Sequence, residues 1–191
     1  AYCEVVLHTL LRSDAFNSAD LEKALEGCLE QAQRANRSLD ELLVFLQKSE
    51  LKTEQLNLND VINEALSSVY NDGYEGFHVV FHLEQKLSAV QCNRTQVQKV
   101  LINLFRNAIE AMDTSDTPNL TITTTLHTLA GTNMAKVIVQ DNGPGLDHAM
   151  AERIFEPFFT TKPTGIGMGL DISRALIEAN GGQLWVEPGA K

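Results

Sequence analysis

Four clusters along the 191-residue chain carry side chains or backbone suited to chemistry. They are Asn103-Leu104-Phe105-Arg106-Asn107-Ala108, Asp141-Asn142-Gly143-Pro144-Gly145, Phe155-Glu156-Pro157-Phe158-Phe159-Thr160-Thr161-Lys162 and Gly165-Ile166-Gly167-Met168-Gly169-Leu170. Asn103 and Asn107 are four apart, so on a helix both carboxamides leave the same face. A carboxamide oxygen is a hard donor of the kind Mg²⁺ takes when water and phosphate fill the rest of its shell. Asp141 follows the run Val137-Ile138-Val139-Gln140, at a strand end beside a loop whose glycines, Gly143 and Gly145, let backbone approach a ligand closely. A carboxylate in that position can accept from the exocyclic amine of adenine, which guanine lacks there. The glycines at 165, 167 and 169 precede a helical stretch, 170–180, closed by Gly181-Gly182, and the N–H groups of such a helix start form an anion site. Lys162 adds a positive charge for a terminal phosphate. Taken singly each cluster also has an ordinary reading, as a solvated helix face, a D-N-G turn or a chance glycine run; the four in this order point to a nucleotide site.

These residues need a scaffold that brings separated stretches together. The stretch 96–112 reads as a helix with Val97, Val100, Leu101, Leu104, Phe105, Ala108 and Ala111 along its apolar side. A helix over about 61–70, stopped by Asn71-Asp72-Gly73, precedes an alternating strand at 77–83 and a short strand near 89–92. After a loop at 113–119 come strands at 120–126 and 136–140, separated by a turn containing Gly131. This β-α-β-β order, with helices on one side of an antiparallel-leaning sheet, is an α/β sandwich. No G-x-x-x-x-G-K-S/T loop opens a βαβ unit, which argues against a doubly wound nucleotide fold. His78 and His82 share a strand face, but without a third ligand at useful spacing they read as solvent-facing or paired histidines. Leu184 and Val186 form a last strand-like run, stopped by Pro188-Gly189.

Ahead of this unit, residues 2–12 read as a helix, 13–17 as a polar break, and Ser18 as the N-cap of a longer helix. There Leu21, Leu25, Cys28, Ala32, Ala35, Leu39, Leu42 and Leu46 recur in alternating steps of four and three, the seam of a helical hairpin that dimerises. The fold class expected is therefore α+β, with a helical hairpin over 1–53, a polar linker within 51–59, and an α/β sandwich over 54–191. Twenty-five Asp and Glu against fifteen Lys and Arg give a net charge of −10, which argues against direct nucleic-acid binding. No stretch approaches the roughly 20 apolar residues of a bilayer crossing. Three dispersed cysteines, without a C-x-x-C pair, suit a reducing compartment. The chain begins at Ala1 in helix-like sequence without a signal segment and reads as a piece of a longer protein.

The clusters at 103–111, 141–145, 155–159 and 165–169 resemble the N, G1, F and G2 boxes of sensor histidine kinases, whose Bergerat (GHKL) ATP-binding fold is shared with gyrase, the Hsp90 chaperones and the MutL repair proteins. The likeness covers about 58–187, and the short stretch FEPFFTTKPTGIGMGLDISRALIEANGG most resembles the FixL-like branch. The resemblance implies that Asn107 coordinates Mg²⁺, that Asp141 holds adenine, and that Gly143 and Gly145 line the base pocket. It also implies that Phe158, Thr160, Thr161, Lys162, Gly165, Ile166, Gly167, Met168, Gly169 and Leu170 form the lid and phosphate cradle, with Asn103 and Arg106 nearby. ATP and Mg²⁺ are the cofactors so implied. The partners are a response regulator receiver domain and a second copy of the chain through the N-terminal helices. The setting is the cytoplasm, with membrane contact only through other parts of a parent sensor.

The superfamily's ATPases carry a glutamate one helical turn before the Mg²⁺ asparagine, where this chain has Asn103. An amide is a poor general base, so transfer of the γ-phosphoryl to an external acceptor is favoured over hydrolysis. The family's acceptor-histidine motif is absent. His8 lacks the acidic residue and proline that belong with it, so it reads as a packing or surface residue. The acceptor is then expected upstream of Ala1, and this chain is expected not to phosphorylate itself. Asp171, after the third glycine, stands where a small residue is more usual. Two alternatives remain: an ATP-binding, pseudokinase-like interaction module, and a Bergerat-fold ATPase.

Overall fold

The computed structural model describes residues 22–23, 25–28, 52–129, 132–162 and 167–187. The chain divides into two units, Ala1–Lys48 and Ser49–Lys191. In the first, residues 22–23 and 25–28 are helical. The rest of the expected hairpin, with His8 and most of its apolar seam, lies outside the described residues.

The second unit runs β1 (Glu54–Leu56), α1 (Leu58–Asn71), β2 (His78–Leu83), β3 (Val90–Cys92), α2 (Arg94–Ala111), β4 (Asn119–Leu129), β5 (Thr132–Asp141), α3 (His148–Arg153) and α4 (Gly169–Ala179). Asn57 caps α1 by accepting from Asn59 N at 3.0 Å, and Asn93 caps α2 by accepting from Gln96 N at 3.0 Å. In α1 the buried residues Leu58, Val61, Ile62, Ala65, Leu66 and Val69 fall at helical spacing. They share one apolar cluster with Val97, Leu101, Phe105 and Ala108 of α2 and with Leu120 and Ile122 of β4. Phe105 is wholly buried there.

The main sheet is ordered β2-β4-β5, with β2 parallel to β4 and β4 antiparallel to β5. The expected antiparallel leaning thus gives way to a mixed sheet. The reason is the α2 crossover, which returns the chain to β2's side of the sheet running in β2's direction. Along β4, Leu120, Ile122 and Thr124 point into the helical layer and are buried, while Thr125 on the other face is exposed. The buried Thr124 hydroxyl accepts from Glu84 N at 2.9 Å and donates to Asn59 Oδ1 at 3.0 Å. Asn59 in turn donates to Glu84 O at 3.0 Å, so the start of α1 is tied to the end of β2.

Two elements depart from expectation. The polar stretch expected as a linker contains β1, which pairs antiparallel with β3 in a separate two-stranded sheet and buries Leu56. The expected strand around Leu184 and Val186 does not form among the described residues. Side chains tether that segment instead: Lys136 Nζ of β5 lies 3.3 Å from Glu187 and over the Trp185 ring at 5.1 Å, and Trp185 Nε1 donates to Glu187 at 3.1 Å.

Candidate nucleotide site

Helix α2 turns its apolar side to the core and its polar side to α4. Asn103 Nδ2 donates to Ser173 Oγ at 2.9 Å, and that buried hydroxyl donates back to Gly169 O at 2.7 Å. A Cβ at Gly169 would stand 2.9 Å from Asn103 Oδ1, so the helices meet here only because residue 169 has no side chain. At the other end Asn93 N donates to Asn180 Oδ1 at 2.7 Å, and Asn180 Nδ2 donates to Gln96 at 2.8 Å. These two clamps make α4 antiparallel to α2 and set its first turn beside Asn103.

Asn107 Nδ2 points to Asn103 Oδ1 at 3.5 Å. Its own oxygen accepts from Lys162 Nζ at 2.8 Å. Lys162 also pairs with the Glu110 carboxylate, whose other oxygen accepts from the Tyr74 hydroxyl at 2.8 Å. The Asn107 oxygen thus already faces a cationic group, and its hard, neutral character fits Mg²⁺. Arg106 leaves the helix on another flank and pairs with Asp72 after α1. Among the described residues no group of three or more His, Cys, Asp or Glu is placed to hold a metal ion, and both His78 and His82 are exposed.

Asp141 ends β5 and accepts from Gly143 N at 2.9 Å through Oδ1. A Cβ on Gly143 would stand 2.7 Å from Ala111 O and 2.8 Å from Asp141 Oδ1, so the loop lies against the end of α2. Asn142 stitches this loop to the segment before β4: it accepts from Asn119 N and donates to Thr117 O, both at 2.9 Å. Gly145 has φ +74° with nothing near its missing side chain, leaving that backbone open to a ligand.

The aromatic stretch is held by cations. Arg174 of α4 lies 3.6 Å over the Phe155 ring, and Arg153 of α3 lies 4.3 Å over Phe159. Phe158 between them has φ +65° and is 71% exposed, so its backbone conformation rather than packing of its ring is what the fold uses. A Cβ at Gly167 would stand 2.6 Å from Phe158 C and Phe159 O. Thr160 Oγ1 accepts from Lys162 N at 3.1 Å, and Thr161 is exposed. Gly165 and Ile166 lie outside the described residues. Met168 is buried and supplies no side-chain cap to α4, while Leu170 is half-buried in its first turn. The N–H groups there suit an anion, and Asp171 in the same turn places a carboxylate at the positive end of the helix.

Protonation is shifted at three groups of the same unit whose partners lie outside these clusters. Arg94 is raised by hydrogen bonds and charge from Glu64, with Glu54 adding. Burial, then the charge of Glu54, pushes the Cys92 thiol up. Hydrogen bonds from Trp185 and Lys136 hold Glu187 below the usual carboxylate range.

The sequence clusters therefore meet in part: Asn103, Asn107, Lys162 and Gly169 are linked by direct contacts, Gly167 lies against the backbone of Phe158 and Phe159, and Gly143 adjoins the end of α2. Sequence reasoning did not single out Tyr74, Glu110, Asn142, Ser173 or Asn180. Glu110 was accessible by its i+3 spacing from Asn107.

The chain is 38% identical over 175 residues to the sensor protein FixL of Bradyrhizobium diazoefficiens, covering 91% of this chain and 34% of that protein. It spans about a quarter to a third of the length of the curated relatives it matches. Among solved structures, the catalytic domain of histidine kinase ThkA superposes with a TM-score of 0.60 at 34% identity, over 70% of this chain and 86% of that one. ThkA in complex with the response regulator protein TrrA reaches 0.71 at 26% identity, over 96% and 52%. Residues 92–191 match the family described as histidine kinase-, DNA gyrase B-, and HSP90-like ATPase. With the Asn103/Asn107 helix, the glycine-started α4 and the Asp141 loop on one framework, the chain belongs to the family of histidine kinase-, DNA gyrase B- and HSP90-like ATPases, and the relatives named here are sensor histidine kinases.

Proposed function

We propose that this chain is the ATP-binding catalytic core of a two-component sensor histidine kinase. The observation that carries the reading is the Asn107 oxygen turned toward a cationic partner beside the glycine-started helix α4. In this reading Asp141 accepts from the adenine amine, with Gly143 and Gly145 along the base. The first turn of α4 and Lys162 receive the phosphates, from Thr160 and Thr161 on one side to Gly167, Gly169 and Leu170 on the other. Mg²⁺ held at Asn107 would neutralise charge on the transferring phosphoryl group. Asn103 is an amide already engaged by Ser173, so it neither takes a proton from water nor is free to turn toward one. That favours a histidine as acceptor, followed by transfer to an aspartate of a response regulator. The likeness to a kinase whose structure includes its response regulator supports this partner.

The finer points extend the same reading. The acceptor histidine lies outside this chain, which therefore does not phosphorylate itself; residues 1–53 form the dimerising hairpin and residues 54–191 the ATP-binding domain. The site faces the cytoplasm, where ATP is. No helix among the described residues is long and apolar enough to cross a membrane. The test uses a chain extended upstream by about 30 residues, roughly 45 Å of helix, with γ-labelled ATP and Mg²⁺. Acid-labile label on the longer chain alone, lost on Asn107→Ala, is expected. ATP binding without any label would favour an interaction module, and steady phosphate release would favour an ATPase.

A further inference from the structure

Lys162 makes a contact that the nucleotide reading leaves unexplained. Its ammonium is shared between the Asn107 oxygen, 55 residues away in sequence, and the Glu110 carboxylate, which the Tyr74 hydroxyl braces from the loop before β2. Asn107 is held with its oxygen toward the lysine because its amide nitrogen faces Asn103 Oδ1. We propose that the Lys162 ammonium and the magnesium of an arriving magnesium nucleotide are alternative occupants of the Asn107 oxygen, with Glu110 holding the lysine in the first state. This rests on Asn107 being the magnesium residue.

An ammonium is a compact, strongly hydrated charge with three donors, and it seeks the same hard oxygens that magnesium does. One neutral amide oxygen cannot hold both without bringing two cations close together. Magnesium arriving at Asn107 therefore drives the lysine off, and the freed ammonium becomes available to the phosphates. Glu110 sets how hard the exchange is: it stands on the same flank of α2 three residues on, and among the described residues that contact Lys162 Nζ it is the one with a full negative charge. The pair is partly open to solvent, 41% and 36% exposed at the two side chains, so the hold is modest and weakened by salt. That suits an exchangeable contact better than a permanent brace.

The experiment follows the nitrogen-15 signal of the Lys162 ammonium and the magnesium dependence of ATP binding in the full chain. Without nucleotide, hydrogen exchange at Lys162 Nζ should be slower than at the other lysines, and Mg²⁺-ATP should shift the signal. Glu110→Gln should speed that exchange about two- to fivefold, and lower the Mg²⁺ concentration for half-maximal ATP binding by a similar factor, the size an exposed pair supports. Tyr74→Phe, which removes one hydroxyl, should move both readings the same way by less. A higher magnesium requirement in Glu110→Gln, or a Lys162 signal indifferent to Mg²⁺-ATP, overturns the exchange. If Asn107→Ala binds ATP with unaltered magnesium dependence, the reading of Asn107 fails and the exchange with it. If Asn107→Ala loses that dependence while Glu110→Gln leaves it unmoved, the exchange alone fails.

Discussion

On one side of α2, Val97, Leu101, Phe105 and Ala108 are buried in the cluster that joins α1 to β4. On the other, Asn103, Asn107 and Glu110 bond to Ser173, Lys162 and Tyr74. The apolar side gains from area removed from water and accepts any well-fitting shape. The polar side gains little net stability, since each of its groups would be satisfied in water, yet each fixes the direction of a donor or acceptor. A single helix thus carries the stability of the unit on one face and the aim of its site on the other, and the two should separate under mutation.

Phe105→Ala should break the first face. Removing a ring that is wholly buried should cost about 3–5 kcal/mol in denaturant unfolding, while ATP affinity measured on the folded fraction stays close to wild type. Asp141→Asn should do the reverse. Losing one charged hydrogen bond of about 1.5–3 kcal/mol should weaken ATP binding roughly 10- to 100-fold and narrow the preference for ATP over GTP, with little change in thermal midpoint. Gly143→Ala tests where the faces join. Its Cβ would press on Ala111 O and the Asp141 carboxylate, so stability should fall by about 1–3 kcal/mol and adenine affinity should fall with it.

The smallest effect is at Cys92, at the edge of the apolar layer. Burial and then the Glu54 charge raise its thiol, with Arg94 pulling the other way. The folded state thus keeps the proton where the unfolded chain has released it. This contribution to stability is whole below the unfolded thiol's value and is lost as pH rises through the raised folded value. Alkylation by iodoacetamide near pH 8 should be slower in the folded chain than in the denatured one, and equal rates would show the thiol to be unshielded.

The same contrast explains what could be read from the amino-acid sequence. Helices α1 and α2 are legible because their apolar spacing is local and repeats, although their asparagine caps lie a few residues ahead of the starts that the spacing suggests. Asn107, Asp141 and the glycines stand out in the sequence because few other residue types would suit the metal oxygen, adenine contact and crowded turns of the proposed site. Gly167 and Gly169 do stand where a Cβ would clash. Strand β1 was hidden because Glu54 and Gln55 are exposed and only Leu56 is buried, leaving no alternation to see in three residues. The direction of β2 against β4 depends on where the chain goes between them, not on the composition of either strand. Short α3 begins at the Asp147 cap but buries none of its residues. Ser173, Asn142 and Asn180 act across 70, 25 and 84 residues of chain, through bonds that no window of sequence contains.

The most direct test of the account is calorimetric titration of ATP, with and without Mg²⁺, into this chain and its Asn107→Ala variant at matched secondary structure. Magnesium-dependent binding is expected in the wild type. In the variant that dependence should be lost, with an affinity drop of at least the roughly 10- to 100-fold seen when even an outer partner of a metal ligand is removed. Equal, magnesium-dependent binding by both chains would contradict it.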